Sequence, residues 1–288
     1  MRARLVLTVA ALVMAGAMAD ARPAPRWQTV PLPPSMPEAK ATGFVEVGGA
    51  RIFYAVHGKG APVVLLHGGM GNGDHFAHQV PVLAEHFQVI AIDSRGHGRS
   101  TLGTGKLGYH GMAEDVIAVL DALAIERASL VGWSDGGSIA LDLAIHHPER
   151  VSRLFVIGTS YDASGHRPRK GRPPSKTFAA YSKKCRADHL RLGGTAKAFQ
   201  ALVAALRPVW RSPGGFSKEQ LRGIRAPTVV ALGEHDEIIA RAHAEEMARL
   251  IPGARLVIFD DTSHFTLWQD PTSVNRVLVE FLGSRESR

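Results

Sequence analysis

Ser134 stands in the run Gly132-Trp133-Ser134-Asp135-Gly136, between the apolar stretch Ala128 to Val131 and a helix-like stretch around Ile139. A turn this tight from strand to helix needs glycine at its flanks, because a Cβ there would meet backbone, and it lifts the serine hydroxyl clear of the sheet. The helix that starts just after the serine aims backbone N–H groups and a positive dipole end at any oxyanion that forms beside it. Asp135 therefore supplies one N–H, and Trp133 is placed with it at the substrate. A second donor is expected from His67-Gly68-Gly69-Met70, directly after the apolar run Val63 to Leu66, where the N–H of Gly69 or Met70 points at the substrate oxygen. His67 itself reads as a loop residue that packs and hydrogen-bonds locally.

A serine hydroxyl is a weak nucleophile until a base takes its proton, and the base must be held in one tautomer by an acid. Of the chain's 14 histidines, His264 is the one on a loop after the last strand-like run, Arg255 to Phe259, and before the final helix. His97, His146, His147 and His243, on turns or helices, read as surface or capping residues. For the acid, Asp236 follows the run Thr228 to Leu232, and the chain order serine, aspartate, histidine suits an elbow of this kind. Glu234, Glu237 and Asp162 are its possible substitutes, while Asp260 and Asp261 read as loop caps. The chemistry predicted for Ser134, Asp236 and His264 is attack on an ester-like carbonyl through an acyl-enzyme.

Other chemistries find less support. Asp93-Ser94-Arg95-Gly96-His97-Gly98-Arg99-Ser100 is a glycine-rich loop after a strand, but it lacks the lysine and spacing of a phosphate-binding loop. It reads as a structural turn in which Asp93 and Arg95 fix neighbouring loops. No His-Glu-x-x-His spacing and no paired cysteines offer a metal site, so neither metal nor cofactor is expected. Cys185, the one cysteine, permits no internal disulfide and reads as a small, partly buried side chain.

These residues need a scaffold, and the hydrophobic pattern supplies one. Phe44 to Val47 and Arg51 to Val56 flank Gly48-Gly49, a hairpin signal. Short apolar runs follow at Val63 to Leu66, Val89 to Ile92, Ala128 to Val131, Val151 to Ile157, Thr228 to Leu232 and Arg255 to Phe259. Helical spacing lies between them at Met112 to Leu123, Ile139 to Ile145, Ala240 to Leu250 and Thr272 to Phe281. Such alternation predicts an α/β fold with a doubly wound parallel sheet. It is interrupted between Thr159 and Arg225, where an inserted lid is expected, with short helices in Phe178 to Leu206.

With 288 residues, 45% hydrophobic and 21% charged, the chain has the composition of one ordinary globular domain. Residues 1–19 read as a cleavable signal peptide: Arg2 and Arg4, then the apolar run Leu5 to Met14, then Ala17-Met18-Ala19. That run falls short of the roughly 20 residues a bilayer span needs, so a periplasmic or secreted protein without a stable membrane anchor is expected. Residues 20–42 form a proline-rich tether, and the folded body is placed at 43–288. The formal charge of +8 is concentrated in residues 160–222, with 14 lysines and arginines against Asp162, Asp188 and Glu219. This stretch lacks the interleaved aromatics of a nucleic-acid module, so it is read as a solvated basic lid. Oligomeric state has no signature in the sequence.

Taken together, His67-Gly68-Gly69, the Asp93 to Gly98 loop, Gly132 to Gly136 and Ser263-His264 resemble the α/β-hydrolase superfamily, from about Phe44 to the C-terminus. The resemblance implies an eight-stranded, mostly parallel sheet flanked by helices, with a lid inserted after the sixth strand. It also implies cofactor-free hydrolysis of a small-molecule ester or lactone. Members of that superfamily include esterases, lactonases, carbon–carbon bond hydrolases and perhydrolases. Serine at the elbow separates the chain from the branches that carry aspartate there. A non-catalytic binding protein on the same fold is the reading from a different class.

Overall fold

The computed structural model describes residues 24–168, 171, 173–211 and 215–284; the signal segment expected at residues 1–19 lies outside them. In chain order the main elements are β1 (Ala41–Val47), β2 (Ala50–Gly58), β3 (Ala61–Leu66), α1 (Val80–Ala84), β4 (Phe87–Ile92), α2 (Tyr109–Ala122), β5 (Ala128–Trp133), α3 (Asp135–His146) and β6 (Val151–Ile157). They continue as α4 (Lys176–Arg191), α5 (Ala196–Arg211), α6 (Lys218–Arg222), β7 (Thr228–Gly233), α7 (Arg241–Leu250), β8 (Arg255–Phe259), α8 (Thr266–Gln269) and α9 (Pro271–Gly283).

The two strands expected from the hairpin signal and the six expected from apolar runs are all present and form one sheet in the order β1-β2-β4-β3-β5-β6-β7-β8. The β1–β2 and β2–β4 pairs are antiparallel, and every later pair is parallel. The first hairpin turns on Gly48 and Gly49, both at positive φ, which glycine adopts without a steric penalty. Alternate side chains of the central strands feed two cores, as the two-residue period of a strand requires. Val64 and Leu66 pack with Val116 and Val119 of α2, Ile139 of α3 and Met247 of α7. On the opposite face Val63 and Leu65 pack with Leu83 of α1, Leu206 of α5, Trp268 of α8 and Leu278 of α9.

The segment between β6 and β7 differs from expectation in the length of its helices. Instead of short pieces it holds α4 and α5, of 16 residues each, separated near Gly193-Gly194. Lys and Arg dominate α4 and hide its periodicity, yet Thr177, Tyr181, Cys185, Asp188 and His189 form a buried stripe. On α5 the stripe is Phe199, Leu202, Leu206 and Val209. Cys185 lies buried in that stripe, and burial pushes its thiol well above the usual range.

Residues 24–40 of the proline-rich stretch run along the body. Arg26 pairs with Asp261 and Asp270, Gln269 donates to the Thr29 carbonyl at 2.7 Å, and Val30 and Met36 pack on the second core. In the loop after β4, Asp93 accepts from the Gly73 and Arg99 N–H groups, and Arg95 forms a two-point ion pair with buried Asp115. No helix among the described residues is long and apolar enough to cross a membrane.

Candidate active site

The end of β5 pairs with the end of β6, Trp133 against Ile157, and this register decides where the candidate site sits. Ser134 follows at φ 55 and ψ −119, a conformation costly for any residue with a Cβ. Four hydrogen bonds hold it. Its N–H donates to the Ile157 carbonyl at 2.9 Å, and its own carbonyl accepts from the Gly137 and Ser138 N–H groups and the Thr159 hydroxyl. Close packing of α3 on the sheet explains the glycines: a Cβ on Gly136 would collide with the Leu66 carbonyl, and one on Gly132 with the Gly136 carbonyl. Asp135, the first residue of α3, has an N–H with no carbonyl partner inside the helix.

His264 arrives from the loop between β8 and α8. Its Nδ1–H donates to Asp236 Oδ2 at 2.9 Å, and both side chains are buried. The other oxygen of Asp236 accepts the Ile238 and Ile239 N–H groups, each at 2.8 Å, so the carboxylate is held from both sides. The pair lies over Gly158, immediately after Ile157: a Cβ there would stand 3.1 Å from His264 Nδ1 and 3.3 Å from Asp236 Oδ2. Gly158 also has φ 61. The residue that pairs with the backbone of Ser134 thus precedes the one that underlies the imidazole.

Ser134 and His264 line one cavity of about 300 Å3 together with Gly68, Gly69, Met70, Trp133 and Asp135. Met70 has φ 64, unusual for a side chain of its size, in a turn closed by Gly71 N–H donating to the Gly68 carbonyl at 3.0 Å. The Gly69 carbonyl accepts from the Tyr181 hydroxyl at 2.9 Å. Trp133 is buried, and its indole N–H donates to the His264 carbonyl at 3.0 Å, so it positions the histidine loop besides lining the cavity.

Burial alone would lower the affinity of His264 for a proton, but the Asp236 charge and hydrogen bond outweigh it, and the imidazole pKa is raised from its ordinary value. The Asp135 carboxyl is also raised, chiefly by burial, against hydrogen bonds from Trp210 and Tyr109 that favour its charge. His67 is the reverse case. Buried, with Nδ1–H donating to the Gly68 carbonyl and Nε2 accepting from Ser94 N–H, it is pulled down to about 3 and stays neutral.

Of the possible substitutes for Asp236, Glu234 and Asp162 point elsewhere, and Glu237 meets the backbone of His264 rather than its ring. Glu234 accepts from Asp261 N–H, and Asp162 caps a short turn at Ser164. Two of the histidines read as surface or capping residues are interior instead. His97 donates from Nδ1 to the Arg95 carbonyl, and His243 stacks on Tyr161 and accepts from that residue's N–H. Polarity suggested exposure for both, but one ring nitrogen of each bonds to backbone, which a sequence does not display, while His97 Nε2 is buried without a hydrogen-bond partner among the described residues.

Other participants carry no spacing signal. Trp210 on α5 donates its indole N–H to Asp135 Oδ2 at 2.8 Å, and the Tyr109 hydroxyl donates to Oδ1 at 2.9 Å. Glu237 accepts from His264 N–H at 3.1 Å and from Ser175 and Thr177 at the start of α4. Its position beside Asp236 was the single hint available for any of the three.

Over residues 63–277 the chain matches the model of the alpha/beta hydrolase family. It is 29% identical over 256 residues to a protein of Azorhizobium caulinodans named for carbamate hydrolysis, covering 82% of this chain and 96% of that one. A 2-hydroxymuconate semialdehyde hydrolase of Pseudomonas putida is 30% identical over 258 residues, 80% of this chain and 90% of the other. Among solved structures, an N-acyl homoserine lactone degrading enzyme superimposes with a TM-score of 0.69 at 30% identity, over 83% of this chain and all of that one.

Proposed function

This chain belongs to the alpha/beta hydrolase family, and from that premise we propose that it cleaves a carboxylic ester or lactone through an acyl-enzyme on Ser134. One arrangement carries the reading: an Asp236-anchored imidazole and a serine in a strained elbow open onto the same cavity. His264 Nε2 takes the Ser134 proton as Oγ attacks the carbonyl carbon, and Asp236 holds the imidazole and offsets its new charge. The N–H groups of Asp135 and Met70 stabilise the tetrahedral oxyanion. Collapse expels the alcohol, which leaves with the proton from His264. Water then attacks the acyl carbon by the same route, restoring the serine and releasing the acid. The lactone option is supported by the 30% identical lactone-degrading relative.

A second reading keeps the same three side chains but breaks a carbon–carbon bond, and the relative named for 2-hydroxymuconate semialdehyde favours it. A panel of aryl esters of rising acyl length, lactones, a carbamate and a dienone acid separates the two. Ester or lactone turnover, with covalent labelling of Ser134 by a fluorophosphonate, is expected, and Ser134→Ala abolishes both. A folded protein that neither labels nor turns over any member would overturn the reading and favour a binding role. We further propose that residues 1–19 direct export and are removed, so the N-terminal sequence of protein from the periplasm or medium begins at Asp20.

A further inference from the structure

Away from this cavity, α2 and α3 lie side by side and run in the same direction, linked by a ladder of polar pairs. Tyr109 reaches Asp135, His110 reaches Asp142, and Glu114 reaches His147. In the middle rung, Asp142 Oδ1 receives two imidazoles, His110 Nδ1 at 2.9 Å and His146 Nδ1 at 3.1 Å. One potential ligand atom from each of the three residues lies within 4.8 Å of the others.

We propose that His110, Asp142 and His146 form a binding site for a borderline divalent cation such as zinc or copper, clamping α2 to α3. Two imidazoles and one carboxylate suit cations of that class, whereas magnesium and calcium prefer oxygen throughout. Ligand atoms about 2.0 to 2.2 Å from a common metal stand roughly 3 Å or slightly more apart, close to the two separations found. The carboxylate is anchored, with its side chain 4% exposed, while the imidazoles of His110 and His146 are 63% and 39% exposed. A cation can therefore reach the site from solvent with one ligand already in place. Binding at each Nδ1 needs that nitrogen free of its proton: in a neutral ring the proton is regained at Nε2, and in a protonated ring it leaves to solvent while Nε2 keeps its own. Glu114 Oε1, which pairs with His147 Nε2 at 2.8 Å, lies 4.0 Å from His110 Nε2, beyond hydrogen-bond distance but near enough for its charge to favour a proton there. The site lies near the far end of α3 from Ser134 and is independent of the reaction proposed there.

Zinc alone is titrated into the full chain carrying no affinity tag, by calorimetry, and copper alone is followed by electron paramagnetic resonance. One equivalent binds, and the copper spectrum carries coupling to two imidazole nitrogens. His110→Ala and His146→Ala each weaken binding tenfold or more and reduce the coupling to one nitrogen, while circular dichroism shows the fold intact. His86→Ala, at an exposed histidine elsewhere, changes nothing. Binding unaltered in both ligand variants, no stoichiometric binding at all, or equal loss in His86→Ala would overturn the site.

Discussion

At the scale of single residues, the proposed base is defined by two opposed effects. Burial disfavours the charged imidazole of His264, and the Asp236 carboxylate at 2.9 Å more than restores it. The net pKa lies above the ordinary imidazole value of 6.5. A general base must be neutral, so kcat/KM should rise with pH and level off through an inflection above that value. Asp236→Asn removes the attraction and leaves the burial. The inflection then moves to lower pH and the plateau falls about 10^4-fold; an unmoved inflection would remove Asp236 from the role. Linkage has the same sign. The protonated pair stabilises the fold fully below the ordinary value, and that contribution fades as pH rises through the raised one. Asp142 teaches a different lesson. A search for ligands close together in sequence offers only Asp142 and His146, four residues apart on α3, and passes over His110, which lies 32 residues before Asp142.

At the scale of elements, the elbow and the segment between β6 and β7 bear on the same cavity by different means. The elbow works through exclusion of volume. Gly136→Ala would push a methyl group into the Leu66 carbonyl, on a strand that cannot retreat because β4 and β5 flank it. We expect a loss of about 3 kcal/mol or more, read as a lower midpoint in urea, with activity lost in the protein that remains folded. The inserted helices work through polar contacts that cross from one element to the next. Trp210 links α5 to Asp135, and Glu237 links the start of α4 to the backbone of His264. Trp210→Phe keeps most of the ring and deletes one donor. It should lower stability by about 1 kcal/mol and reduce kcat/KM, since the carboxylate beside Ser134 loses a fixed partner. Unchanged kinetics on the whole ester panel would show that the contact only braces α5.

At the scale of the whole molecule, the stretch around Thr29 meets the histidine loop from the other side of the chain. Thr29 accepts from Gln269, and the Gln269 side chain also accepts from Ser263 N–H at 2.6 Å, one residue before His264. A chain starting at residue 24 should match the full protein in midpoint and activity. One starting at residue 41 loses that brace together with the packing of Val30 and Met36; its stability should fall by several kcal/mol and its kcat with it. Equal behaviour of the two would show that the segment is passive. Much of this architecture was legible beforehand. Six strands were located by their short apolar runs, because a buried parallel sheet demands them, and the first two by the hairpin signal at Gly48-Gly49. The elbow was legible from its glycines, because backbone contact leaves no room for anything larger. The lengths of α4 and α5 were not, since their lysines and arginines cover a stripe that becomes apparent only against its packing partner. What the sequence by itself determined is local: which runs are strands, where the tight turn falls, and which serine, aspartate and histidine are of the right type. The tertiary structure decided their meeting, because Trp133 pairs with Ile157 and so sets Ser134 beside Gly158, under the imidazole of His264. Strand register is a relation between distant segments, and no window of sequence contains it.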